Sequence, residues 1–355
     1  MGLTDAPEPD QIEINLFGPG FGECCLVHVG ANEWVIVDSC VEPSTRRIPA
    51  LQYLSSLGVD PARQVKLIVA THWHDDHIRG LADIVEACPG AVFCASGALR
   101  RSEFLATITA FNNGPEITAG SGVAELNTIV NLLERRKTPR RVAAPQRVLA
   151  TLPMDWPDDK RCTIVSLSPS DAQFDKALVS IGELLPASPE TIRRAPDLEH
   201  NDLSVVIWLR FGSQAVLLGG DLEEDGDPNL GWSAAVQSFE AAGLATERIA
   251  SIFKQPHHGS ANGHCDEVWD RLITPEPITI LTPWNRGAGL PRPADIERIL
   301  SKSERSYSSS NYVAARALRA LIKRDPAVER TLREDGRRIR PALSKMGHVR
   351  LRNGG

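Results

Sequence analysis

Several features are missing from this sequence, and each absence argues against a class of protein. No apolar run approaches the roughly 18 residues that a transmembrane helix needs. Met1 to Gln11 is acidic and contains prolines, without the apolar stretch of a signal peptide. The seven cysteines include no CxxC pair, which argues against a structural zinc knuckle or a disulfide framework. These absences predict a cytoplasmic protein with no membrane association.

Charge is distributed unevenly along the 355 residues. The net charge is −6, but from Arg286 to Gly355 the chain carries 17 Lys and Arg against 7 Asp and Glu, so the preceding part is strongly acidic. Such a basic segment either contacts a polyanion or packs as a helical layer against acidic helices of its own domain, and the sequence leaves both open. With 42% hydrophobic and 24% charged residues, the chain is typical of a globular protein of one large domain or two smaller ones.

The most informative stretch is residues 71–77, with the sequence THWHDDH. Clustered imidazoles and carboxylates are costly to bury unless something pairs them. A divalent metal does so, because neutral imidazole nitrogen and carboxylate oxygen are its natural ligands. In an extended segment His72 and His74 point to the same side, while Asp76 and His77 follow after the turn, which favours two neighbouring ions. The alternative is a solvated polar loop.

This stretch follows a predicted strand, Val65 to Ala70, and three further polar clusters stand at strand ends. They are His200-Asn201-Asp202-Leu203-Ser204 before the strand Val205 to Leu209, Gly219-Gly220-Asp221 after Ala215 to Leu218, and Lys254-Gln255-Pro256-His257-His258-Gly259-Ser260 after Ile249 to Phe253. A single His or Asp at a strand end is usually structural. Four such clusters in one chain indicate a common site, since α/β proteins place their chemistry at strand ends.

With these clusters in this order, the sequence resembles the metallo-β-lactamase superfamily of metal-dependent hydrolases, whose HxHxDH motif is matched by HWHDDH. The resemblance implies a ligand set for two ions: His72, His74 and His200 for the first, Asp76, His77 and His258 for the second, and Asp221 as a bridge between them. In the nuclease branches the ligand His is followed by a small residue and then Ser or Thr, which selects His258. His257 is then a proton-transfer or supporting residue, although the two roles could be exchanged.

A narrower resemblance is to the ComEC-type branch, named after the hydrolase domain of DNA-uptake proteins. It rests on a glycine-rich turn and hairpin (residues 20–38), followed by HxHxDH, Gly-Asp and K-x-x-HHGS, and covers about residues 11–300. Two positions depart from the branch. His200 stands where many members have Asn, and Leu290 stands where a His is common. The second departure would remove a proton donor or a substrate contact.

The fold that the resemblance implies is of the α/β (α+β) class, a four-layer αββα sandwich with the metals at one edge between two sheets. We expect residues 1–300 to form the hydrolase domain, with an inserted helical segment at 98–160 over the mouth of the site. Helical spacing predicts helices from Leu99 to Phe111 and from Val123 to Lys137. Residues 301–355 form a basic, partly helical segment that packs on the domain or extends it.

The expected activity is hydrolysis that uses two divalent ions, with Zn²⁺ as the first choice and Mn²⁺ or Fe²⁺ as alternatives. A water that bridges two ions about 3.5–4 Å apart becomes hydroxide near neutral pH and attacks the electrophile. Asp76 and Asp221 serve this step as metal ligands. Lys254, His257 and Ser260 are the nearest donors by sequence for the developing negative charge.

The preferred substrate is a phosphodiester, in a nucleic acid or a nucleotide, because of the HHGS ending, the branch resemblance and the basic C-terminal segment. A small ester, thioester or lactam is the alternative. A third reading is a metal-containing interaction protein, partnered by another protein or by a second copy of the chain. Four tryptophans either stack on a base or pack in the core: Trp73, Trp156, Trp232 and Trp284.

Overall fold

A computed structural model of the protein describes residues 5–20, 22–97, 122–138, 140–184, 200–212, 214–244, 249–284, 289–310 and 346–353. Within these residues the strands form two sheets of seven. The first sheet contains β1 (Ile12–Gly20), β2 (Gly22–His28), β3 (Trp34–Val37), β4 (Val65–Ala70), β5 (Val92–Ser96), β6 (Arg140–Ala143) and β14 (Gly347–Asn353). The second contains β7 (Arg147–Leu152), β8 (Cys162–Ser166), β9 (Ile207–Phe211), β10 (Gln214–Leu218), β11 (Ala250–Lys254), β12 (Ile273–Leu281) and β13 (Ser306–Ser308).

Strand direction brings several strand ends to one edge. In the first sheet the spatial order is β14-β1-β2-β3-β4-β5-β6, and β3, β4, β5 and β6 run parallel. In the second sheet the order is β13-β12-β11-β10-β9-β8-β7, and β10, β11, β12 and β13 run parallel. Parallel strands deliver their carboxyl ends to the same edge of a sheet, and polar side chains there can converge.

The nine α-helices of the described part cover the outer faces of the two sheets or connect their strands. They are α1 (Pro49–Ser56), α2 (Pro61–Gln64), α3 (Asp75–Ile78), α4 (Leu81–Ala87), α5 (Gly122–Arg136), α6 (Asp171–Leu184), α7 (Gly231–Ala241), α8 (Asp266–Arg271) and α9 (Pro293–Lys302). Local signals begin some of them: Asp60 caps α2 through the amide of Ala62, and a proline opens α1, α2 and α9. No helix within the described ranges is long and apolar enough to cross a membrane.

Three apolar clusters define the layers. The central cluster joins the inner faces of the two sheets, with residues such as Val37 and Val69 opposite Leu209 and Val216. A second cluster lies between the first sheet and α1, α4 and α5, and a third lies between the second sheet and α7 and α8. Each sheet is therefore buried on both faces, which explains the largely apolar sequence of strands such as β4, where Lys66 is the one charged residue. The predicted α/β four-layer sandwich is confirmed.

The segment at residues 98–160 is not a helical insertion along its whole length. Residues 98–121, including the predicted helix from Leu99 to Phe111, lie outside the described part. The second predicted helix is α5, which packs on α4 and connects the parallel strands β5 and β6. It is thus an ordinary crossover helix of the outer layer. Residues 140–152 supply an edge strand to each sheet, which the sequence interpretation missed because short arginine-containing strands lack an apolar pattern.

The C-terminal segment extends the sandwich rather than forming a separate layer, as far as it is described. β13 lies at the edge of the second sheet, and β14 closes the edge of the first sheet beside β1. Polar contacts hold β14 in register: Arg352 Nε donates to Glu13 Oε2 at 2.8 Å, and His348 Nε2 contacts Asn15 Oδ1 at 2.7 Å. Glu13 and Asn15 are fully buried, so these contacts replace water that the side chains would otherwise need.

His348 should make the stability of the protein depend on pH. Burial and, to a smaller extent, the charge of Arg350 lower the pKa of His348 to about 4, while Glu13 opposes the shift. Between pH 6.5 and 4 the unfolded chain therefore binds the proton more readily than the native protein, so stability falls as the pH falls. We expect the free energy of unfolding to lose about 1 kcal/mol more between pH 7 and 5 in the wild type than in His348→Gln.

The measurement is urea unfolding of both proteins at the two pH values. The other histidines contribute equally to both proteins, so the difference between the two slopes isolates His348. Equal pH dependence in the wild type and the variant would contradict the role of this imidazole.

Candidate metal centre

The candidate site lies where the two sheets meet at their carboxyl edge. The histidine-rich stretch follows β4 of the first sheet and leads into the short helix α3. Asp221 follows β10 and His258 follows β11, both in the second sheet. Each half of the site is thus carried by a different sheet, and packing of the sheets brings the halves together.

Four of the predicted ligands converge. One ligand atom from each of Asp76, His77, Asp221 and His258 can be chosen so that all lie within 4.8 Å of one another. His258 Nε2 is 3.1 Å from Asp76 Oδ2 and 3.6 Å from Asp221 Oδ2. His77 Nε2 is 3.2 Å from Asp221 Oδ2 and 3.7 Å from Asp76 Oδ2.

These distances suit a divalent ion. Tetrahedral zinc with bonds near 2.0–2.1 Å places its ligand atoms about 3.3–3.5 Å apart, close to the separations observed. Two buried atoms, His77 Nε2 and Asp221 Oδ1, have no hydrogen bond of acceptable geometry within the described part of the chain. Buried polar atoms normally have partners, so a cation beside His77 Nε2, between Asp76 Oδ2 and Asp221 Oδ2, fits as the missing partner of this nitrogen. The residues therefore fit a metal at the position predicted for the second ion.

The charges around His77 lead to the same conclusion. Burial alone would lower the pKa of His77, but the carboxylates of Asp221, Asp76 and Asp38 raise it well above its ordinary value. Burial likewise opposes ionisation of Asp221, yet His77 and His258 bring its pKa well below the usual range. The pocket thus stabilises positive charge among buried carboxylates, which is the electrostatic requirement of a cation site.

Asp38 fixes the orientation of His77. Its Oδ2 lies 2.7 Å from His77 Nδ1, while the amide and hydroxyl of Thr71 donate to its two oxygens, each at 2.7 Å. Because the carboxylate accepts a hydrogen bond from Nδ1–H, Nε2 is the nitrogen directed toward the cluster and available to a metal. His258 is oriented in the same way, since its Nδ1 lies 2.9 Å from the carbonyl oxygen of Thr282.

The residues predicted for the first ion are placed in part. His72 is fully buried, and its Nε2 lies 3.1 Å from His74 Nδ1. Burial lowers the pKa of His72 well below its ordinary value, and His77 and His74 lower it further, so the ring is neutral as a ligand must be. His200 begins a turn of 3-10 helix, but its side chain lies outside the described part of the structure. Its role as the third ligand stays a prediction.

Of the two adjacent histidines, only His258 reaches the cluster. Both adopt left-handed backbone angles, with φ of 45° at His257 and 54° at His258, which is uncommon for side chains other than glycine and is typical of functional sites. The ring of His257 lies outside the cluster and is held by other groups: its Nδ1 is 3.0 Å from both Glu223 Oε1 and Asn262 Oδ1. The alternative with the two histidines exchanged is therefore not the arrangement observed.

Lys254 lies below the cluster and not at an open face. Its side chain is buried, and its ammonium group donates to the carbonyl oxygen of Gly220 at 2.9 Å and contacts the carboxylate of Glu23. Burial alone would lower the pKa of Lys254, but Glu23 and Asp221 raise it above its ordinary value. A charged group engaged in this way is not placed to donate to a substrate, which corrects the catalytic role expected for it.

The tryptophans are mostly packing residues. Trp73 and Trp232 are buried in the outer apolar clusters. Trp284 stacks on the ring of His258, with centroids 5.6 Å apart and planes inclined by 26°. Leu290, where the ComEC-type branch commonly has a His, forms a bridge pair with Trp284. This position therefore packs behind a predicted ligand.

Two glycines allow the close approach that the site requires. A Cβ atom on Gly22 (φ 118°) would lie 1.7 Å from the carbonyl oxygen of Asp76, so β2 can pass beneath the motif only without a side chain. A Cβ atom on Gly220 (φ 52°) would lie 2.4 Å from Ser204 Oγ, which accepts a hydrogen bond from the amide of Asp221 at 2.8 Å. Glycine at position 22 therefore allows the observed position of Asp76, which faces it, and glycine at position 220 allows that of Asp221, which follows it.

The sequence interpretation missed the supporting roles of Asp38, Glu23 and Thr282. A signal existed for Asp38, since it directly follows β3, the parallel neighbour of β4, with Val37 opposite Val69. Carboxylates at the ends of neighbouring parallel strands lie close together. Nothing in the pattern marks Glu23, which stands within an apolar strand, or Thr282, which contributes a backbone oxygen.

Comparisons with known proteins agree with this architecture. The family model of the metallo-beta-lactamase superfamily matches residues 17–328, so the chain belongs to this superfamily, most of whose members are hydrolases. No curated protein sequence is significantly similar to it.

The solved structures to which the chain is similar are distant. The metallo-beta-lactamase fold protein YhfI from Bacillus subtilis is 13% identical, with 69% of this chain and 70% of that chain covered and a TM-score of 0.35. MEM-A1, a subclass B3 metallo-beta-lactamase from a soil metagenome library, is 14% identical, with 73% and 83% covered and a TM-score of 0.36. Such distant likeness says nothing about the activity of this chain.

Substitution of Gly22 should damage metal binding more than it damages folding. In Gly22→Ala the new methyl group collides with the backbone of Asp76, so we expect affinity for Zn²⁺ to fall at least about tenfold. The matched control is Gly58→Ala, because Gly58 also has a positive φ (71°) but no atom lies within 4 Å of the position that its Cβ would take. Zinc affinity is measured by competition with a chromophoric chelator. Equal losses in the two variants would contradict the contact.

Substitution of Asp38 should act through His77. Asp38→Asn replaces the acceptor that fixes the His77 tautomer, and the loss of such a partner typically lowers metal affinity about 10–100-fold. Asp60→Asn is the control, since this exposed carboxylate only caps α2. Metal affinity and the melting temperature of the metal-free protein are measured together. A fall in melting temperature with unchanged metal affinity would restrict Asp38 to a structural role.

Proposed function

We propose that the protein is a metal-dependent phosphodiesterase whose substrate is a nucleic acid or a nucleotide. The observation that supports it most is the convergence of Asp76, His77, Asp221 and His258 at the edge between the two sheets. Superfamily membership and this donor set make a hydrolase with bound divalent metals the coarser conclusion. The phosphodiester, and the nuclease class within it, is the finer proposal.

Each predicted residue then has a defined task. Asp76, His77 and His258 would hold one cation, His72, His74 and His200 a second, with Asp221 shared between them. Divalent ions bound there would lower the pKa of water toward neutrality and stabilise negative charge on phosphoryl oxygens. Asp38 and Thr282 keep the ligand nitrogens of His77 and His258 directed into the site.

His257 is the proposed proton carrier at the more open side of the site. Its side chain keeps 19% of its exposure, and Glu223 holds its Nδ1 at 3.0 Å. Asn201 in turn donates to Glu223 Oε1 at 2.7 Å, so the carboxylate is itself held in place. A histidine with one nitrogen fixed by a carboxylate presents the other nitrogen for proton transfer, for example to a departing alkoxide.

Three features favour a phosphodiester over a small ester, thioester or lactam. His258, followed by Gly259 and Ser260, lies in the cluster, as the pattern of the nuclease branches requires. The K-x-x-HHGS ending is similar to the ComEC-type branch. The chain from Arg286 onward has a basic excess, which suits a polyanion. The ComEC-type assignment belongs to this proposal and is tested with it.

The test pairs metal content with cleavage. We expect about two metal ions per chain in the wild type and hydrolysis of bis(p-nitrophenyl) phosphate, single-stranded DNA or RNA. Asp221→Ala should lose one ion or more and lower kcat/KM at least about 10²-fold, since a buried ligand between the two positions is removed. Asp75→Ala is the matched control, because Asp75 stands in the same motif but is half-exposed and pairs with Arg79.

The outcomes separate the levels of the proposal. No bound metal, even after reconstitution, would overturn the metal centre. Two bound ions with hydrolysis of nitrocefin or p-nitrophenyl acetate, and none of any phosphodiester, would replace the phosphodiesterase by the small-substrate enzyme.

A further inference from the structure

We propose that the buried ion pair between Glu23 and Lys254 sets the separation of the two halves of the metal centre. The inference rests on the proposed metal centre and assigns its two positioning residues. Neither residue is placed as a ligand, and neither is exposed to a substrate.

The need for such a device follows from the topology. The residues of the HxHxDH motif are carried by the first sheet, whereas Asp221 and His258 are carried by the second. The central apolar cluster holds the two sheets together, but apolar contacts are non-directional and tolerate small shifts. A metal centre requires its ligands to be placed more accurately than that.

The pair bridges the two sheets directly beneath the ligands. Glu23 is in β2 of the first sheet and Lys254 ends β11 of the second; they are 3% and 2% exposed. The Lys254 ammonium contacts Glu23 Oε1 and lies 3.7 Å from Asp221 Oδ1. Glu23 Oε1 is 3.9 Å from His77 Nδ1, and Glu23 Oε2 is 3.9 Å from His258 Nδ1. The pair therefore touches both halves of the site.

The neighbours of the pair complete a closed ring of contacts. On one side, Gly22 precedes Glu23 and lies against the backbone of Asp76. On the other side, Lys254 donates to the carbonyl oxygen of Gly220, the residue before Asp221. Asp76 and Asp221 are therefore connected in two ways: through the candidate metal position, and through the contacts of Gly22, Glu23, Lys254 and Gly220. A shift of one sheet against the other would break this path.

Stability alone does not explain the pair. Burying two charges removes their hydration, and replacing a buried ion pair by uncharged groups of similar size is often neutral or stabilising. Removal of one partner, by contrast, leaves an uncompensated charge and is strongly destabilising. This difference separates positioning from folding in an experiment.

The experiment compares Lys254→Met, Glu23→Gln and the double variant Lys254→Met/Glu23→Gln with the wild type, all in the full chain. Three properties are measured: unfolding of the metal-free protein in urea, affinity for Zn²⁺ by chelator competition, and the visible spectrum of the Co²⁺-substituted protein. The double variant keeps the net charge of the site, so a change in its metal affinity does not arise from altered long-range charge.

We expect each single variant to be less stable than the wild type and the double variant to regain most of that stability. Despite this recovery, the double variant should bind Zn²⁺ at least about tenfold more weakly and show shifted Co²⁺ absorption bands, because its ligand halves are no longer held in register. Glu13→Gln is the control, since Glu13 forms a comparable buried pair with Arg352 away from the site. It should lose stability but keep wild-type metal affinity and spectrum.

Wild-type affinity and spectrum in the double variant would overturn the inference and leave the pair a purely structural contact. If the double variant does not regain stability, the metal affinities of Glu23→Gln and Glu13→Gln are compared under conditions in which the two variants are equally stable. Equal metal affinity in these two variants would overturn the inference. Failure of the wild type to bind any metal would overturn the proposed function, and this inference with it.

Discussion

Compensation of buried negative charge is the constraint on which this structure depends. Glu23, Asp38 and Asp221 are buried at one edge of the sandwich, and Asp76 lies beside them. The Lys254 ammonium group contacts Glu23 and lies 3.7 Å from Asp221 Oδ1, so it neutralises part of this negative charge. Carboxylates in a region of low dielectric need a counter-charge, which either protonated imidazoles or metal ions provide. The buried carboxylates therefore favour cations at this site, whatever reaction the protein catalyses.

Each sheet supplies both candidate ligands and the groups that hold these ligands in place. Three of the four residues that converge at the second position have a support of their own: Asp38 for the ring of His77, Thr282 for the ring of His258 and Ser204 for the backbone amide of Asp221. These supports come from the neighbouring strands and loops of the same edge, so the regular geometry of parallel strands is what makes them available. Glycine at positions 22 and 220 then lets the backbones approach closely enough.

Much of this could be predicted from the sequence, because the ligands stand in short motifs at the ends of apolar strands. The strand Val65 to Ala70 and the sandwich were predicted correctly. The strands of residues 140–152 were not, since their order in the sheets depends on distant partners. Glu23 and Thr282 gain their roles only through tertiary contact, which local patterns do not contain.

The site depends on the fold for its geometry, whereas the apolar clusters of the fold do not include the metal-ligand residues. Three apolar clusters bury the faces of both sheets without help from the metal-ligand residues, so the sandwich has its own source of folding free energy. This differs from small zinc domains, where the ion itself drives folding. Here the apolar framework positions carboxylates and imidazoles that would repel or remain unpaired on their own. The binding energy of a cation can then go to a site that is already assembled, as a pre-organised hydrolytic centre requires.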